Sequence, residues 1–155
     1  MDPKKEMTPN ELWGNFISSS PCYKNEKIPP AFYFCDNKKD ADECALLVQK
    51  GIKQATTTSL WWFEKNEEPL PRVGNLYMVT DWEGFAKAII EVTKVKKVRF
   101  NEITSEYAAV EGEGDGSLAY WKKVHKAYYE REMAPYSEKF EPSQELICEY
   151  FKKVY

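Results

Sequence analysis

The sequence predicts an α+β domain with a small curved sheet or barrel at its centre and helices packed around it. Three observations carry this. Polar caps followed by apolar residues at helical spacing mark helices near the N-terminus. β-Branched and apolar runs bounded by Pro, Gly and Asp fill the middle of the chain. A second helical stretch then precedes an alternating C-terminal segment. Length agrees with one domain, read as 1–155 with its core from about residue 12 and with residues 1–7 flexible.

Thr8-Pro9-Asn10-Glu11 is a capping box with proline at the first helical position, opening a helix whose face is Leu12, Trp13, Phe16 and Ile17. Residues 21–30 carry three prolines and form a connection. Asp40-Ala41-Asp42-Glu43 reads as the cap of a second helix with Cys44, Leu47 and Val48 on its apolar side and Gly51 as its terminator. Threonine-rich 54–59 suits a strand. Pro69, Pro71 and Gly74 mark a loop before a strand over 76–79. Asp81-Trp82-Glu83-Gly84 is a hairpin turn into a long strand from 86 to about 100. Helices follow near 105–110 and 118–133, and 145–154 alternates as a closing strand.

Composition narrows the function classes. Five Trp, ten Tyr and eight Phe exclude a disordered chain. No apolar run reaches the length of a membrane span, and Met1-Asp2-Pro3-Lys4-Lys5-Glu6 lacks the apolar core of a signal peptide, so a cytoplasmic location without membrane partners is expected. Cys22, Cys35, Cys44 and Cys148 contain no Cys-x-x-Cys pair and, with His125 as the lone histidine, make a poor zinc set. No cofactor is expected, and no clear ligand set supports a divalent cation. A net charge of −3 argues against a protein that coats nucleic acid non-specifically. Local basic segments remain: Lys94, Lys96, Lys97 and Arg99 on the long strand, and Lys122, Lys123 and Lys126 on the long helix.

The residues suited to chemistry lie in two segments. Lys53 follows a helix terminator and enters a strand, where a partly apolar pocket would depress its pKa and make it a base or an oxyanion partner. Thr56, three residues on, points to the opposite face of a regular strand, whereas Thr57 and Ser59 share the face of Lys53. Glu111, Glu113 and Asp115 place three carboxylates within five residues. Their repulsion suits Glu111 to acid–base work, while Asp115 and Ser117 suit capping of the next helix. His125 shares a helix face with Trp121 and is expected to be buried and bonded to the glycine-rich loop. Tyr33, Trp61 and Trp62 offer rings on which a base could stack, with core packing as the competing role.

Three stretches go further. They are 41–56, which includes Gly51-Ile52-Lys53-Gln54-Ala55-Thr56; 68–75; and Glu111-Gly112-Glu113-Gly114-Asp115-Gly116-Ser117 with its continuation to His125. Together they resemble the ASCH family, in its bacterial single-domain subgroup. The chain departs from that pattern at 31–36, where Cys35 stands in place of a glycine, and at Gln54, where threonine is usual. The resemblance implies a PUA-like β-barrel, similar to domains that bind RNA or modified bases. It implies a hydrolase acting on RNA in the manner of a ribonuclease, an amidohydrolase removing the acetyl group of N4-acetylcytidine, or a module that only binds RNA. RNA or a cytidine-type nucleoside is the implied partner. For the amidohydrolase, the matching catalytic positions are Lys53, Thr56 and Glu111. Tyr33, Thr57, Ser59, Trp61, Glu113, Lys94 and Arg99 are the candidate substrate contacts, and Gly51, Asp115, Ser117 and His125 the structural positions of the motifs.

Overall fold

The computed structural model describes residues 6–155; the expectation of a flexible start falls mainly on residues 1–5, outside the described residues. Its elements in chain order are α1 (Pro9–Ser19), β1 (Ala31–Phe32), α2 (Lys38–Gln49), β2 (Ala55–Ser59), α3 (Leu60–Lys65), β3 (Leu76–Thr80), β4 (Ala86–Arg99), α4 (Ser105–Glu111), α5 (Leu118–Met133) and β5 (Glu145–Lys153). The five strands make one mixed sheet in the order β1-β3-β4-β5-β2, with β1 parallel to β3 and every other pair antiparallel.

The sheet does not close, which corrects the expected barrel: β1 and β2 are its two edges and do not pair with each other. β1 is only two residues long and follows Pro29-Pro30, which donate no amide hydrogen, so it has too few backbone groups to carry a closing ladder. The α+β class stands. A bulge at Thr93, where the register shifts between Val92 and Lys94, bends β4 and lets it serve two regions. Its first half is buried on both sides, with Ala88 and Ile90 toward α2 and Ile89 toward α1. Its second half carries the exposed basic residues.

Apolar burial divides into three clusters: α1 against β3 and β4, α2 with Phe34 against the same strands, and α4 and α5 against β2 and β5. Thr8 caps α1 as the sequence indicates, its hydroxyl accepting from Glu11 N at 3.2 Å. α2 starts earlier than expected, because Asn37 rather than the Asp40 segment is its cap and accepts from Asp40 N at 2.9 Å. Helix α3 was not expected. Ser59 ends β2 and at once caps α3, accepting from Trp62 N at 3.1 Å.

Candidate functional site

Two backbone devices bring the signature segments together. Gly51 takes φ +76°, so the chain turns off the end of α2 while Ile52 N and Lys53 N both donate to Leu47 O at 2.9 and 3.1 Å. Gln54 N then donates to Val110 O at 2.9 Å, tying this link to the last turn of α4. Gly112 closes α4 at φ +67°, and a Cβ there would stand 2.8 Å from Ile52 O. Only glycine meets both the left-handed backbone and that close approach. Lys53 and Glu111 are thereby set face to face.

Both are fully buried, each 1% exposed. Lys53 Nζ donates to Glu111 Oε1 at 3.0 Å, to Glu113 Oε1 at 2.8 Å and to Ala55 O at 2.8 Å, and lies 5.1 Å from the ring centre of Phe34. The second oxygen of Glu111 accepts from Thr57 Oγ1 at 2.9 Å and from the indole N–H of Trp121, with His125 Nε2 at 3.3 Å. Thr57 in turn meets the Tyr107 hydroxyl at 2.8 Å. His125 stacks on Trp121 with centroids 3.9 Å apart, its Nδ1 lying 2.8 Å from Trp121 O. Cys44 donates to Glu113 Oε1 at 3.3 Å. Among the described residues, no buried side-chain polar atom lacks a partner.

Charge balance sets the protonation states. Burial pulls the Lys53 ammonium down, but Glu113 and Glu111 outweigh it and hold the pKa above the usual lysine value. Burial pushes Glu111 up, and Lys53 with His125 overrides it, holding the carboxyl below its usual range. Burial likewise works against the His125 cation, yet Glu111 raises its pKa overall. Lys53 is therefore a charged cation with all three protons committed, and it cannot be the base that a depressed pKa would have made it. One ligand atom each from Glu111, Glu113 and His125 lies within 4.8 Å of the others, but Lys53 Nζ already holds the two carboxylates at 3.0 and 2.8 Å. A metal there would have to displace this ammonium.

The network forms part of the wall of a cavity of about 410 Å³ reached by residues from every strand and from α3, α4 and α5. Its lining holds the aromatic rings Phe32, Tyr33, Phe34, Trp62, Phe63, Tyr77, Tyr128 and Phe151. It also holds five glutamates, Glu68, Glu111, Glu113, Glu132 and Glu149, with His125 and no lysine or arginine. Glu132 accepts from Ser59 Oγ at 2.9 Å, and burial raises its pKa. Burial alone pushes Glu149 up to about 7.

Of the sequence candidates, Tyr33, Thr56, Thr57, Glu111, Glu113 and His125 lie on the cavity wall. Ser59 reaches it through Glu132. Lys53 stands behind the wall. Trp61 is elsewhere, with its indole N–H donating to Glu138 at 2.6 Å and its ring on Tyr136; α3 turns it away and presents Trp62 instead. Lys94 and Arg99 are exposed on the far half of β4. Asp115 accepts from Ser117 N at 2.9 Å and braces the turn, while Ser117 is the cap of α5. His125 bonds to Glu111 and Trp121, not to the glycine loop, because α5 faces the end of α4. Glu132, Glu149 and Trp62 complete the wall. The pairing of Glu149 with a β2 threonine depends on strand order, which no short-range signal encodes.

Comparison with known proteins agrees with this architecture. The ASCH domain profile matches residues 30–155, so the chain belongs to the ASCH domain family. The crystal structure of an ASCH domain from Lactobacillus crispatus JV V101 is 34% identical with a TM-score of 0.88, covering 100% of this chain and 99% of that one. Protein EF3133 from Enterococcus faecalis V583 is 30% identical with a TM-score of 0.83, covering 92% of this chain and 85% of the other. No curated protein matches. Among the described residues, no helix is long and apolar enough to cross a membrane.

Proposed function

We propose that the protein binds RNA or a nucleoside in the cytoplasm by taking one nucleobase into the cavity between α5 and the sheet. The observation that carries this is the lining: about 410 Å³ walled by aromatic rings and carboxylates, with no lysine or arginine. Rings supply faces for stacking, and carboxylates accept from exocyclic amino groups. A phosphate finds five glutamates and His125 as the sole cation, so the sugar–phosphate chain of an RNA stays outside. The exposed Lys94, Lys96, Lys97 and Arg99 on β4 are suited to follow it.

The same charge balance ranks the two hydrolytic readings. Phosphodiester cleavage would build further negative charge beside those carboxylates. Removal of an acyl group from a base amine begins from an uncharged substrate, so amide cleavage of the N4-acetylcytidine type fits better than a ribonuclease. In either case Lys53 works from behind the wall, fixing Glu111 and Glu113. Calorimetric titration with cytidine and with cytidine 5′-monophosphate tests the proposal. Cytidine is expected to bind at least about tenfold tighter, a difference of 1.4 kcal/mol. Equal affinity, or binding of the phosphate form alone, would contradict it. Incubation with labelled RNA and, separately, N4-acetylcytidine shows which bond breaks.

A further inference from the structure

Lys53 cannot accept a proton, and Glu111 is surrounded by donors, so neither group of the buried network can serve as a base. One carboxyl on the wall is differently placed. Glu149 makes no hydrogen bond or ion pair through its side chain with any described residue, whereas Glu111, Glu113 and Glu132 are each held by named donors and Glu68, likewise without a side-chain partner among the described residues, is exposed. Its cross-strand partner is Thr56. Phe151 N donates to Gln54 O at 3.0 Å, which makes 54 and 151 a hydrogen-bonded pair; by alternation Thr56 and Glu149 form the next one. Their Cα atoms are then about 5.5 Å apart, with both side chains on the same face of the sheet. Both residues line the cavity. The Thr56 hydroxyl, unlike that of Thr57, has no side-chain bond to a described residue.

We infer that Glu149 is the general base of this cavity, acting on the Thr56 hydroxyl. The assignment rests on the amide-cleaving reading above. In the first step the Glu149 carboxylate takes the Thr56 proton as Oγ bonds to the acyl carbon, and the carbonyl electron pair moves to oxygen. Collapse breaks the C–N bond, and the proton held by Glu149 passes to the leaving amine. A water then gives its proton to Glu149 while its oxygen attacks the Thr56 ester. The C–O bond to Thr56 breaks, Oγ recovers the proton, and the acid is released. A base that ionises near neutrality suits this sequence, and burial sets Glu149 there. The groups around it are Tyr77 and Glu68, which share its surroundings, and the uncharged Val95 beside it on β4. Glu132 and His125 lie elsewhere on the wall, and none of these supplies a cation against the carboxyl.

Steady-state kinetics on the full chain with N4-acetylcytidine as probe, alongside cytidine binding, tests the assignment. Wild type is expected to turn over with a rate that rises to a plateau as pH passes about 7. Glu149→Gln should lose about 100-fold or more in kcat together with that rising limb, with an unchanged circular dichroism spectrum. Thr56→Val should lose turnover and Thr56→Ser keep it, which holds the test open should Glu149→Gln misfold. Turnover and pH profile unchanged in Glu149→Gln would overturn this assignment while leaving the amide-cleaving reading intact. Cytidine binding without turnover by wild type would overturn both.

Discussion

On one wall of the cavity Glu111 is bonded to Lys53, Thr57 and Trp121, with His125 at 3.3 Å; on another, Glu149 faces the same space with no partner among the described residues. Glu111 is fully buried and Glu149 half-buried, yet their carboxyls move in opposite directions: Glu111 falls below its usual range and Glu149 rises to about 7. The difference is the company of cations, since desolvation alone pushes any carboxyl up. A fully bonded charge is suited to hold structure and a poorly bonded one to exchange protons, so the motif residues that look most catalytic in sequence are the ones already committed.

Breaking the bonded wall should have the largest effect. Lys53→Met leaves the buried Glu111 and the part-buried Glu113 without their cation and is expected to cost about 3–5 kcal/mol in chemical denaturation. Unchanged stability would mean that Lys53 is held for chemistry alone. Gly112→Ala, which meets both positive φ and the Ile52 carbonyl at 2.8 Å, should cost about 2 kcal/mol. The same change at Gly116, also at positive φ but with nothing within 4 Å, should cost less.

The unpartnered wall predicts a smaller effect of opposite sign. Glu149 binds its proton more tightly folded than unfolded, so wild-type stability falls as pH rises from the ordinary value of 4.5 through about 7. Glu149→Gln removes that fall. Its stability relative to wild type should grow by on the order of 1 kcal/mol between pH 4.5 and 8, read from denaturation midpoints. A constant difference would place the wild-type carboxyl in water. Smallest of all, Lys96→Gln on the exposed half of β4 should leave stability unchanged and lower the salt slope of RNA binding by about one.

Much of the framework was legible because its signals are local. The capping box at Thr8, the terminator at Gly51, the turn at Asp81–Gly84 and the bounds of α5 depend on residues a few positions apart, and all appear where those residues indicate. The two-residue β1 and the six-residue α3 were not, since neither is long enough to show a period. Openness of the sheet was not legible either, because closure depends on which edges meet. At the site, the alternation rule placed Thr57 beside Lys53 and Thr56 on the other face, and both sides of that rule hold: Thr57 bonds to Glu111, while Thr56 pairs with Glu149. The charge of Lys53 is not legible, because a sequence shows the apolar surroundings of a lysine without counting the carboxylates that converge on it. Glu149 carries no local signal, being one acid in an alternating strand whose neighbour is set by sheet order.

The contrast between the walls can be read in one experiment, a pH titration of the glutamate side-chain carboxyls by carbon-13 NMR. Glu149 is expected to titrate near 7 and to shift when cytidine is added, while Glu111 stays ionised down through the range where ordinary glutamates protonate. A Glu149 that titrates with the surface glutamates and ignores cytidine, or a Glu111 that takes up a proton before the protein unfolds, would contradict the account.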